Sequence, residues 1–127
     1  MALALDEEVP AEIVRLFERI TDEGATVPSI WRYEVANVLL LPVRRQRIDV
    51  ESFQAGLADL ERLPVAVDGS SSDRAWDEGA SIARRHGLTV YDAAYLELAI
   101  RLALPLATLD RKLAQAARAE GVEVIGG

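Results

Sequence analysis

The stretch Gly87-Leu-Thr-Val-Tyr-Asp-Ala-Ala-Tyr-Leu-Glu-Leu-Ala-Ile-Arg-Leu-Ala-Leu-Pro-Leu-Ala-Thr-Leu-Asp110 decides the fold class. From Tyr91 to Leu102 the spacing of apolar residues predicts a buried helix, and Pro105 cannot continue it. Leu106-Ala-Thr108 is then a short strand, with Asp110 placed to open another helix. Downstream, Val122 to Ile125 reads as a closing strand. Upstream the same alternation recurs. A helix after Pro10, carrying Ile13, Val14, Phe17 and Ile20 at helical intervals, ends at Gly24; Ala25-Thr26-Val27 is a short strand cut off by Pro28. A helix from about Ile30 to Arg45 is apolar on nearly every side and crossed by Pro42, so a central position is expected, with a kink or break near its end. Asp49 can cap the next helix, which runs to about Arg62; Leu63 to Val67 is an edge strand or extended connection, and Ala75 to His86 is helical. Short strands alternating with helices predict a parallel sheet covered on both faces, hence an α/β protein built as a three-layer α/β/α sandwich. The 127 residues suit one domain over 1–127.

Composition removes whole classes of chemistry. There is no cysteine and one histidine, His86, which excludes disulfide scaffolds, thiolate metal sites and cysteine nucleophiles, and leaves little room for histidine-based metal sites or a serine–histidine–acid triad. With 21 acidic and 14 basic residues the net charge is −7, so no diffuse positive field gathers polyanions and any nucleic-acid contact must be local. Apolar runs fall short of the roughly twenty residues that span a bilayer. Met1-Ala-Leu-Ala-Leu5 has neither a basic flank nor a cleavage pattern, so a cytoplasmic location is expected.

Three acids are anomalous against this background. Glu34 lies inside Trp31-Arg-Tyr-Glu-Val-Ala-Asn-Val-Leu-Leu-Leu41, on the helix face it shares with Asn37. Burial of an unpaired carboxylate costs several kcal/mol, so a partner is required, and Arg32 or Arg44 is the simplest. Asp92 sits in the first turn of its helix, where capping competes with any chemical role. Asp110 follows a strand at its carboxyl end, where ligand crevices form in α/β sheets, and it too can be a cap. Carboxylates that converge need a cation, and an oxygen-only donor set selects Mg²⁺ or Mn²⁺. Such an ion suits phosphodiester hydrolysis.

Pro28-Ser-Ile-Trp-Arg-Tyr-Glu-Val-Ala-Asn-Val-Leu39, Gly87 to Ala99, and Leu106-Ala-Thr-Leu-Asp-Arg-Lys-Leu113 together resemble, in order, the successive acidic motifs of PIN-domain proteins, and most of all the VapC-type toxins of toxin–antitoxin pairs. The resemblance implies a Mg²⁺- or Mn²⁺-dependent ribonuclease acting on RNA, usually a homodimer, neutralised by a cognate antitoxin whose C-terminal segment lies over the active site. It assigns Glu34, Asp92 and Asp110 to the acidic metal and catalytic positions, with Asn37 and Thr108 supporting them. Members of the family normally begin with a buried strand that ends in an aspartate, the first metal ligand. Met1 to Glu8 resembles only what would follow that strand, so the strand and its acid are expected to be missing, with weakened activity and lower stability than a full-length relative. The alternative is a catalytically silent module that keeps its dimer and antitoxin surfaces.

Other residues carry weaker expectations. Arg84, Arg85, Arg111 and Lys112 are candidates to hold RNA phosphates, although basic side chains in terminal helix turns are commonly just solvated. Trp31 and Trp76 are expected in the core rather than stacked on bases. His86 beside Gly87 is expected to face the negative end of its helix.

Overall fold

The computed structural model describes residues 11–126, and the expectations for Met1 to Glu8 lie outside them. The elements run α1 (Ala11–Glu23), β1 (Ala25–Pro28), α2 (Ile30–Arg44), α3 (Val50–Glu61), β2 (Val65–Asp68), a 3₁₀ turn (Ser72–Arg74), a π turn (Ala75–Gly79), α4 (Ala80–His86), α5 (Val90–Leu102), β3 (Leu106–Ala107), α6 (Arg111–Ala119) and β4 (Val124–Ile125). The chain divides into two compact units, the first of residues up to 25 and 30–66, the second of 26–29 and 67 onward. Among the described residues the strands form two pairs, β1 with β2 and β3 with β4. The second pair is parallel, with Leu106 opposite Val124 and Ala107 opposite Ile125.

In the first unit, α1 stops at Gly24, whose φ of +77° only glycine adopts without strain, and where an added Cβ would stand 3.1 Å from the Pro64 carbonyl oxygen. That close approach lets the Ala25 N–H donate to the same oxygen at 3.1 Å. Asp49 caps α3 as expected, with Oδ1 accepting from the Ser52 N–H at 2.7 Å, and this bond holds the carboxyl below its ordinary pKa. Helix α2 includes Pro42 two residues before its end and departs from the central position expected of it, since only Leu39 is fully buried while Tyr33, Val38 and Leu41 are exposed. Against α3, its Leu39 Cδ1 lies over Gly56.

The core of the second unit joins α4, α5 and α6: Ile82 and Ala83, Ala93, Leu96 and Ala99, Leu113, Ala116 and Ala117, with Leu106 of β3. Alanines at the facing positions of α5 and α6 allow the two helices to lie close, and Ala93, Leu96 and Ala117 have no measurable exposure. Trp76 corrects the sequence expectation. It stands on the π turn that precedes α4 and is 94% exposed.

Candidate active site

Asp92 and Asp110 both belong to the second unit, at the beginnings of two helices that share its core. Thr89, not Asp92, caps α5: its extended backbone (φ −68°, ψ 158°) lets Oγ1 accept the Asp92 N–H at 3.1 Å. The Asp92 carboxylate is left with no hydrogen bond or ion pair among the described residues. Half-buried in the first turn, it is favoured there by the helix dipole.

Asp110 is the cap of α6. One carboxylate oxygen, Oδ1, accepts the N–H groups of Lys112 at 2.8 Å and Leu113 at 3.1 Å. Its own N–H donates to Thr108 Oγ1 at 3.1 Å, and the Thr108 N–H donates to the Ile125 carbonyl at 3.1 Å. Thus β4 fixes Thr108, Thr108 fixes the backbone of Asp110, and the helix amides fix its carboxylate. The second oxygen stays open to a ligand.

Glu34 lies in the first unit, half-buried on α2, with Asn37 exposed on the same helix. Arg32, the simplest compensator from sequence, instead pairs with Glu61 at 3.1 Å. Among the described residues no three His, Cys, Asp or Glu side chains are grouped so as to hold a metal ion. The chemistry of the pair in the second unit nevertheless fits a hard divalent cation: Mg²⁺ binds through one or two carboxylates, keeping water and substrate phosphate as its other ligands. An unpartnered Asp92 carboxylate and one open Asp110 oxygen are donors of that kind.

The basic candidates differ in their engagements. Arg85 Nη1 is held by Glu120 Oε2 at 2.9 Å, and His86 Nε2 lies 2.7 Å from the same oxygen, so His86 joins the ends of α4 and α6 rather than merely facing its own helix. Arg84 and Arg111 are exposed. The Lys112 ammonium lies 3.5 Å from where a Cβ on Gly87 would stand.

One polar cluster escapes the sequence reading. Arg101 Nε donates to Glu97 Oε2 at 2.8 Å, its Nη2 donates to Asp68 Oδ2 at 2.7 Å, and its Nη1 reaches Ser70 Oγ at 3.1 Å. Ser71 Oγ donates to the same Asp68 oxygen at 2.7 Å. The guanidinium and Ser71 hold the Asp68 carboxyl well below the usual carboxylate range, and Glu97 first, then Asp68, raises the basicity of Arg101 further. The available signal was Glu97 and Arg101 at i and i+4 in an apolar helix. This cluster ties β2 and the serine loop to the last turn of α5.

The model of the PIN domain family matches residues 1–119. Ribonuclease VapC3 of Pyrobaculum aerophilum is 37% identical over 109 residues, which cover 84% of this chain and 83% of that one.

Proposed function

Because the chain belongs to the PIN-domain family, we propose that it is a toxin-type endoribonuclease that hydrolyses RNA phosphodiesters at an acidic site using Mg²⁺ or Mn²⁺. The observation that carries the reading is the pair of helix starts in the second unit, where Asp92 has an unpartnered carboxylate and Asp110 has one oxygen fixed and one open. A relative named as a ribonuclease, matched over most of both chains, supports an enzyme over a catalytically silent module.

In this reading Asp92 and the open oxygen of Asp110 would hold the ion, with Glu34 the third acid that the family resemblance assigns, while Thr108 and the first amides of α6 keep Asp110 from rotating away. Asn37 supports Glu34. A bound divalent cation supplies a polarised water and offsets the charge that develops on the phosphate. The protein's own contribution is geometric: carboxylates anchored on rigid helix starts need no reorganisation when substrate arrives. The same reading takes residues 1–127 as one catalytic domain with the three-layer arrangement, working as a homodimer in the cytoplasm and restrained by a cognate antitoxin. Among the described residues no helix is long and apolar enough to cross a membrane.

The test is cleavage of a labelled single-stranded RNA pool of mixed sequence in Mg²⁺ and in Mn²⁺. The parent chain should cleave, and both a chelator and Asp92→Asn should reduce the rate at least about a hundredfold. Equal cleavage by Asp92→Asn would refute the assignment.

A further inference from the structure

Thirteen of the fourteen basic residues are arginines, and Lys112 is the single lysine of the chain. It occupies the first turn of α6, the end of a helix where a cation is electrostatically disfavoured. Its backbone N–H donates to Asp110 Oδ1 at 2.8 Å, yet its side chain extends away from its own helix to Gly87, placing Nζ 3.5 Å from where a Cβ there would stand. Gly87 ends α4 and lies two residues before Thr89, the cap of α5. One side chain thus reaches from the helix start that carries Asp110 to the end of α4, five residues before Asp92 in the chain.

The ammonium packs against glycine and forms no hydrogen bond or ion pair among the described residues, so its three donors remain for something else. The other cations at hand are differently placed: Arg85 is engaged by Glu120, and Arg101 by Asp68 and Glu97. Resting on the ribonuclease reading above, we propose that Lys112 is the positioning residue that grips a non-bridging phosphate oxygen of single-stranded RNA beside Asp92 and Asp110. A lysine suits this place because it acts as a compact point charge on a flexible stem, adjusting to a backbone phosphate of any sequence. A purely structural role also exists, in which the ammonium offsets the negative end of α4, and the two roles predict different readouts.

Being the only lysine, Lys112 can be followed chemically. Full-length Asp92→Asn protein, which keeps RNA intact, is reductively methylated in Mg²⁺ with and without the mixed-sequence RNA pool. The rate at Lys112 is read by mass spectrometry, with the α-amine as internal reference, while RNA binding is followed by fluorescence polarisation. Phosphate contact is expected to slow labelling of Lys112 about fivefold relative to the α-amine. In the same background Lys112→Gln should weaken RNA binding roughly three- to tenfold for all sequences and flatten its salt dependence by about 0.7 in log–log slope, with Lys112→Arg recovering most of the loss. In the otherwise unaltered chain, Lys112→Gln should raise KM and leave kcat within about twofold. RNA that binds without protecting Lys112, or a Lys112→Gln variant that melts earlier but binds RNA as before, overturns the proposal and leaves the ribonuclease reading intact. Failure of the parent chain to cleave RNA, together with absence of binding by Asp92→Asn, overturns both.

Discussion

Replacing Asp110 by Asn preserves an oxygen able to accept from the amides of Lys112 and Leu113, whereas Ala removes the cap altogether. Asp110→Asn should therefore melt within a few degrees of the parent while losing cleavage, and Asp110→Ala should lose cleavage together with about 1 kcal/mol of stability. Urea titration beside the RNA assay separates capping from chemistry, and equal stability losses in the two variants would contradict the cap. Arg101 is the opposite case, a residue whose importance is structural. Removing it strands Glu97, which is 4% exposed, together with Asp68, so Arg101→Met should cost about 3 kcal/mol in urea. The folded-state pKa of Asp68 is depressed below the ordinary 3.8, so its pairing contributes fully above that value and is lost as pH falls toward the folded one. The parent should thus weaken on acidification below about pH 4, while Arg101→Met, which lacks the guanidinium that depresses Asp68, should respond less. The Asp110 cap was legible in the sequence as an alternative to catalysis, whereas the cap read at Asp92 belongs to Thr89, three residues earlier. The Arg101 cluster was not legible, because Asp68 lies 33 positions away in the chain and no local periodicity reports a contact of that range.

At the scale of elements, most helix and strand positions follow from punctuation that acts locally: Gly24, Pro28, Asp49, Gly87 and Asp110 end or begin elements as their side chains dictate. What depended on neighbours was less readable. Apolar composition around α2 implied burial, yet how much of a helix is covered depends on what packs against it, and of the α2 residues only Leu39 is fully buried. The π turn at Ala75–Gly79 has no composition signature distinct from a helix, so the exposure of Trp76 could not be read in advance. Two glycines test the local argument against each other. Gly56 lies within α3, and a Cβ there would meet only Leu39 Cδ1 at an ordinary 3.9 Å, so Gly56→Ala should stabilise by roughly 0.5–1 kcal/mol through helix propensity. Gly87 holds φ at +65°, and Gly87→Ala should cost about 1–2 kcal/mol. Thermal melts of the two variants should move in opposite directions, and a shift of the same sign would mean that neighbours outweigh backbone preference at one of them.

Across the whole molecule, the net charge of −7 sets how RNA can be approached. Counterion release contributes about −0.7 to the log–log salt slope for each phosphate of a single strand that is neutralised. Arg84, Arg111 and Lys112 make no ion pair among the described residues, so a site served by these three cations should give a slope no steeper than about −2. Repulsion between an acidic protein and RNA acts in the other direction, since salt screens it and quickens encounter. Binding of the mixed-sequence RNA pool by Asp92→Asn, followed by polarisation from low to physiological ionic strength, should therefore weaken only gently. A competing source of charge exists in Arg44, Arg45 and Arg47 at the end of α2, all exposed and belonging to the first unit. If RNA runs along them, the slope should approach about −4 and should fall back when the three are changed to Gln. The gentle slope is expected because a nuclease that must release its products gains little from a long cationic track.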